Sequence, residues 1–231
     1  MTFKKLWEEP KNVSTKYFIL NNVFSAITHC IGFGLAIAGL VILIIRSAST
    51  GNAIRVVSFT IFGTSLVILY LFSTLYHSLV FTKAKRIFQI FDHSSIFILI
   101  AGSYTPYALV MIGGFKGWLL FGIIYTLAII GILFCIFNKG KRPLGEIILY
   151  IAMGWTALTF GNTIFPLLGK SGFLLLLSGG LAYTIGALLY TMKRIPYIHV
   201  IWHLFVILGL SLIHISEPTR RLRGSRMPSS A

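Results

Sequence analysis

Apolar residues run through this chain in long blocks, separated by short breaks that are polar, basic or proline-containing. The blocks are apolar on every face. Residues 34–45 and 173–177 show neither the two-residue alternation of a half-buried strand nor the polar stripe of a surface helix. A helix rises about 1.5 Å per residue, so a hydrocarbon core of about 30 Å needs roughly 20 apolar residues. Seven blocks reach that order of length: residues 17–45, 54–80, 90–112, 118–137, 144–168, 172–192 and 197–215. Transmembrane β-strands are shorter and alternate, and are set aside on that ground. The pattern predicts an all-α integral membrane protein with one seven-helix domain over 17–215. A short segment, 1–16, precedes it, and a polar, basic tail, 216–231, follows.

Composition supports this and removes other classes. Of the 231 residues, 56% are hydrophobic and 11% charged, with a mean hydropathy of +0.87, which leaves too little polar surface for a soluble domain. The formal charge of +15 would suit a nucleic-acid binder, but the basic residues sit in short clusters between apolar blocks and read as a topology signal. Lys4, Lys5, Lys11, Lys16, Lys83, Lys85, Arg86, Lys139, Lys141, Arg142, Lys193 and Arg194 fall on one side; Arg46, Arg55, Lys116 and Lys170 fall on the other. The N-terminus is therefore expected in the cytoplasm, and seven crossings put the C-terminus outside. The first twenty residues, with Glu8, Glu9 and Pro10, lack a short apolar segment with a small-residue cleavage site, so the first span is expected to act as an uncleaved anchor.

The tail disagrees with that orientation, because Arg220, Arg221, Arg223 and Arg226 lie on the outer side. The string LSLIHISEPTR, residues 210–220, resembles translated adapter or vector read-through. Residues beyond about Gly209, His214 included, are therefore treated as replaced sequence. Cys30 and Cys135 both lie in apolar blocks and read as small fillers, with no disulfide framework and no thiolate metal site.

An ionisable side chain inside a span is costly and marks function by default. His77 ends the second span, Asp92 and His93 open the third, and His199 and His203 open the seventh, so the topology brings all of them to one level near the cytoplasmic face. His199 and His203 are four residues apart and share a helix face, as do Ser73 and His77. Three imidazoles from two helices can hold a catalytic zinc with one position left for water. Asp92 can then serve as general base or as partner of that water, and Ser73 can stabilise an oxyanion. The ordinary readings stand beside this one: an interfacial histidine pair, a serine that only packs, and an Asp92 paired with Lys85 or Arg86.

The segments STLYHSLVF, FDHSSIFILIAGSYTPYAL and HVIWHLFVILG resemble the haemolysin III proteins, the bacterial branch of the progestin and adipoQ receptor family, over about residues 28–209. The resemblance implies seven membrane helices and a zinc site of Ser-x3-His, Asp and His-x3-His. Those fall on Ser73 and His77, on Asp92, and on His199 and His203, with the three histidines as ligands and Asp92 reaching the metal through water. It also implies the bacterial inner membrane and, through the related alkaline ceramidases, a hydrolase of membrane-lipid amides or esters. The chain departs from the family in its first span. Asn22 stands before Thr28 and His29 where an acidic residue is usual, so a role for an acidic group there is absent or altered. His29 reads as a buried, hydrogen-bonded histidine or as a group facing substrate near the metal.

Three functions follow as expectations: a zinc-dependent lipid hydrolase, a non-enzymatic membrane-homeostasis sensor with structural zinc, and a pore-forming cytolysin. The last fits least, because near-continuous apolar spans suit a resident bundle rather than a secreted toxin. Pro106 is expected to kink the third span, with Ser103 and Thr105 satisfying freed backbone groups. Gly32, Gly34, Gly39, Gly179, Gly180 and Gly186 are expected at close helix contacts, and Trp7, Trp118, Trp155 and Trp202 as interfacial anchors. No nucleotide motif is present, and the expected partner is a membrane lipid, as substrate or ligand, rather than nucleic acid.

Overall fold

The computed structural model describes residues 14–139, 143–192 and 196–216. Lys4, Lys5, Trp7 and Lys11, the basic residues Lys141, Arg142, Lys193 and Arg194, and the tail beyond Ser216 lie outside them, as does the side chain of His214. The described residues are helical throughout, without a strand: α1 (Thr15–Ala48), α2 (Ala53–Ser78), α3 (Lys85–Thr105), α4 (Gly114–Asn138), α5 (Pro143–Trp155), α6 (Gly161–Thr191) and α7 (Ile198–Ser216). Side chains set the starts of α1 and α2: Ser14 Oγ accepts from the Tyr17 N–H at 3.2 Å, and Asn52 Oδ1 accepts from the Arg55 N–H at 3.1 Å.

Polar side chains are buried inside the bundle beside an apolar core, and large apolar side chains face outward. Ser25, Ser58, Ser65, Ser73, Ser95 and Thr105 are buried, whereas Leu35, Phe115 and Phe137 are 68%, 82% and 79% exposed. A water-soluble fold sorts these residues the other way, so the surrounding medium is lipid. Five stretches are long and apolar enough to cross it: Thr15–Ala48, Ala53–Ser78, Lys85–Ile112, Gly114–Asn138 and Leu144–Thr191; a shorter apolar helix covers Ile198–Ser211. The expected fifth and sixth spans are thus joined. Helical backbone continues past Pro166 and is broken only at Gly169, whose φ of 68° and ψ of 176° leave the helical region.

α3 lies between α2, α4 and α5, while α1 packs along α2 and α7, and α7 along α6. One core joins Phe97 and Ala101 of α3 to Leu120 and Ile124 of α4 and Met153 of α5; a second joins Leu69, Leu99, Val206 and Leu210. Pro106 does not simply kink α3. The backbone widens into a π-helical segment, Pro106–Ile112, which closes with the Gly113 N–H donating to Ala108 O at 2.9 Å. Ser103 Oγ and Thr105 Oγ1 donate to the carbonyls of Ile100 and Ala101, at 2.8 and 3.0 Å; neither bonds Gly102 O, the carbonyl whose N–H partner Pro106 removes, which corrects the role expected of them. Tyr104 organises the 3₁₀ segment Thr156–Phe160: its hydroxyl donates toward the Met153 and Gly154 carbonyls and accepts from the Ala157 N–H at 2.8 Å.

The glycines divide by face. A Cβ on Gly32 would lie 2.7 Å from the Tyr70 ring, and one on Gly186 2.6 Å from Phe205 Cβ, so both are true close contacts. At Gly34 and Gly39 nothing lies within 4 Å, which corrects the packing role expected of them. Of the tryptophans, Trp118 is 58% exposed at the start of α4 and suits an interfacial anchor. Trp155 instead donates from Nε1 to Thr184 Oγ1 at 3.0 Å, and Trp202 lines the internal cavity; both belong to the bundle interior.

Candidate functional site

The i, i+4 spacing in α2 and α7 turns two histidine-bearing faces toward each other. His77 and His203 are buried, at 4% and 2% exposure, and His199 lies beside them. One ring nitrogen from each of the three falls within 4.8 Å of the others. His77 Nε2 and His199 Nε2 are 2.9 Å apart. Two ligands of one tetrahedral zinc, with bonds of about 2.0–2.1 Å, stand roughly 3.3 Å apart, so this donor set fits the ion with small side-chain adjustment. The start of α7 is tied to the start of α1, which sets the height of His199: the Tyr197 N–H donates to Tyr17 Oη at 2.9 Å, and the two rings lie 5.1 Å apart.

Asn22 decides the His77 tautomer. Its Nδ2 donates to Phe18 O at 2.9 Å, which turns Oδ1 toward His77, and the His77 Nδ1–H donates to that oxygen at 2.9 Å. A neutral imidazole protonated at Nδ1 keeps its lone pair on Nε2, the nitrogen that faces His199. Metal-binding histidines are held in this way by an acceptor on the far nitrogen. Asn22, where the first span departs from the family pattern, thus contributes an amide oxygen to the His77 hydrogen bond.

His29 is buried, as expected, but not hydrogen-bonded. Neither ring nitrogen has a partner among the described residues; the ring stacks on His203 at 3.5 Å and meets Tyr70 edge-on at 5.1 Å. Asp92 is 7% exposed and Ser73 1%, and both line the cavity beside the histidines. Asp92 stands outside the converging trio and makes no ion pair with Lys85 or Arg86; among the described residues the one ion pair joins His93 to Glu146. Glu146 is a site residue that histidine spacing does not reveal; its signal in the sequence is an acidic residue inside a predicted span.

His29, His199, His203, Ser73 and Asp92 line one part of an internal cavity of about 150 Å³. Its remaining walls are mostly apolar, with Leu99 and Ile100 of α3, Ile164, Leu176 and Leu177 of α6, and Val206 of α7. The His199–His203 pair thus faces the bundle interior rather than the membrane interface.

Fold and site define a multi-pass helical membrane protein with a buried histidine cluster at one end of an internal cavity. The chain belongs to the haemolysin III family, the bacterial branch of the progestin and adipoQ receptor family: the family described as "Haemolysin-III related" matches residues 17–215. The chain is 44% identical to "Hemolysin-3" of Bacillus cereus over 196 residues, 85% of this chain and 90% of that one. It is 44% identical to "Hemolysin-3 homolog" of Bacillus subtilis (strain 168) over 193 residues, 84% and 91% of the two chains. More distantly, it is 27% identical to the human "Monocyte to macrophage differentiation factor" over 156 residues, 63% of each.

Proposed function

We propose that this chain is a zinc-dependent hydrolase of the bacterial inner membrane that cleaves an amide or ester of a membrane lipid. The observation that carries the reading is the union of the histidine cluster with a long apolar cavity. α3 lines that cavity from Asp92 to Tyr104, a rise of about 18 Å at 1.5 Å per residue. An amphiphile suits such a space, its carbonyl at the polar end and its chain along the wall. This reading has seven crossings, and what supports the count is that the 48 residues of Leu144–Thr191 would extend about 72 Å, more than twice the hydrocarbon thickness, with a break in helical backbone at Gly169. The bias of Lys and Arg puts the N-terminus and the histidines toward the cytoplasm and the C-terminus outside.

His77, His199 and His203 are the residues that would hold zinc, and Asn22 keeps the His77 lone pair on Nε2. Bound there, zinc supplies Lewis-acid polarisation of a carbonyl and acidifies water. The Asp92 carboxylate accepts the proton of the attacking water. It returns that proton to the leaving amine or alcohol as the C–N or C–O bond breaks. The Ser73 hydroxyl donates to the carbonyl oxygen as charge develops on it. His29, stacked on His203 at the cavity wall, holds that ring in place.

The test offers the detergent-solubilised full chain a panel of N-acyl amides and acyl esters. Asp92→Asn is expected to lose turnover by about 100-fold or more with zinc content and melting temperature unchanged. Undiminished turnover in that variant would remove the base. The joining of α2 to α7 by the histidines favours a second reading, a structural zinc in a membrane-homeostasis sensor. That reading gains if no lipid is cleaved and Asp92→Asn melts as early as His77→Ala.

A further inference from the structure

Three further groups, one half-buried and two buried, converge beside the histidine cluster, each from a different helix. His93 of α3, Cys135 of α4 and Glu146 of α5 bring one ligand atom apiece within 4.8 Å of one another. Cys135 and Glu146 are 0% and 1% exposed. The His93 Nδ1–H donates to Glu146 Oε2 at 2.5 Å, while the other carboxylate oxygen, Oε1, has no hydrogen-bond partner among the described residues. The Cys135 thiol donates to Ile90 O over a long 3.8 Å and lies within reach of the Ser94 hydroxyl and the Glu146 carboxylate. Tyr150 Oη donates to the His93 carbonyl at 2.7 Å and braces α3 against α5 at this level. A bare carboxylate oxygen at membrane depth is costly, and hydrogen bonding from His93 satisfies only one of the two.

We propose that His93, Cys135 and Glu146 form a second metal site, selective for a divalent ion of the zinc class. The donor set is mixed: one thiolate, one imidazole and one carboxylate. A thiolate ligand favours zinc, cobalt or iron(II) over magnesium and calcium, which take oxygen. Charge also balances. Binding displaces the thiol proton of Cys135 and the proton shared by His93 and Glu146, so two protons leave and the two resulting negative charges neutralise a divalent cation. A neutral site is what a low-dielectric interior tolerates. For tetrahedral coordination the His93 Nδ1 to Glu146 Oε2 separation opens from 2.5 Å to roughly 3.3 Å, within reach of side-chain rotation. His93 and Glu146 also line the cavity that holds Asp92, so an ion here stands on the wall of the same chamber. The proposal does not depend on hydrolase activity or on zinc at the three histidines.

Sulfur distinguishes the two sites. Cobalt(II) bound to thiolate shows an intense near-ultraviolet charge-transfer absorption that nitrogen ligands do not give, and the histidine trio contains no sulfur. The detergent-solubilised full chain, loaded with cobalt(II) alone, is expected to show this band. Cys30→Ser, at the exposed cysteine of α1, keeps it; Cys135→Ser abolishes it, and Glu146→Gln weakens cobalt binding as read by the same band. The band also persists in His199→Ala/His203→Ala. Should that variant not fold, the parent compared with Cys135→Ser decides the matter by itself. Absence of the band in the folded parent, or its survival in Cys135→Ser, overturns the proposal.

Discussion

Asn22 is the side chain on which the geometry of the histidine cluster turns. Its amide is oriented by Phe18 O and in turn orients His77, so the nitrogen that His77 turns toward His199 is chosen by a residue of the first helix. Asn22→Leu is expected to weaken zinc binding by about 10- to 100-fold in a chelator competition, and Asn22→Asp to restore it; equal affinity in all three proteins would contradict the tautomer argument. At this scale the sequence was legible where spacing carries information. The pairs Ser73/His77 and His199/His203 announce their shared faces, and Asp92 announces its depth. Asn22 was visible only as a departure, because an amide in a membrane helix has many ordinary uses. His29 was placed correctly as buried, but its stacking on His203 depends on the approach of α1 to α7, which local sequence does not encode.

Helix packing decides how accurately these side chains meet. α6 approaches α7 at Gly186, where a Cβ would meet Phe205 Cβ at 2.6 Å and Trp202 Cε3 at 3.1 Å, both within two residues of His203. Gly186→Val is expected to destabilise the protein by roughly 1–3 kcal/mol and lower its melting temperature, while Gly34→Val, facing open space, leaves it unchanged. Identical melting of the two variants would remove the packing argument. Both glycines look alike in sequence, and only knowledge of the helix faces separates them. Pro106 was legible as a break, but not as a π-helical widening, which depends on how α3 meets α4. The junction at Gly169 was legible from the length of the apolar run, and its continuity as helix past Pro166 was not.

For the molecule as a whole, the sequence made the medium legible at once, because no arrangement of so apolar a chain buries most of its surface in a single soluble core. The outer surface of the bundle bears this out, with large leucines, isoleucines and phenylalanines exposed while serines, histidines and carboxylates are buried beside the core. Less legible was the second cluster. Cys135 reads as a filler until α4 places it against Glu146, and Glu146 stands alone among apolar neighbours until α5 turns it toward His93. The cavity arises from the packing of the whole bundle, and no local pattern predicts it.

The most direct measurement is the zinc content of the full chain, purified in detergent without chelators, beside a His199→Ala/His203→Ala variant matched for helicity and melting. The variant is expected to hold about one zinc per chain fewer than the parent. Equal zinc in the two proteins, or none in either, would contradict the assignment of His77, His199 and His203 as a metal centre.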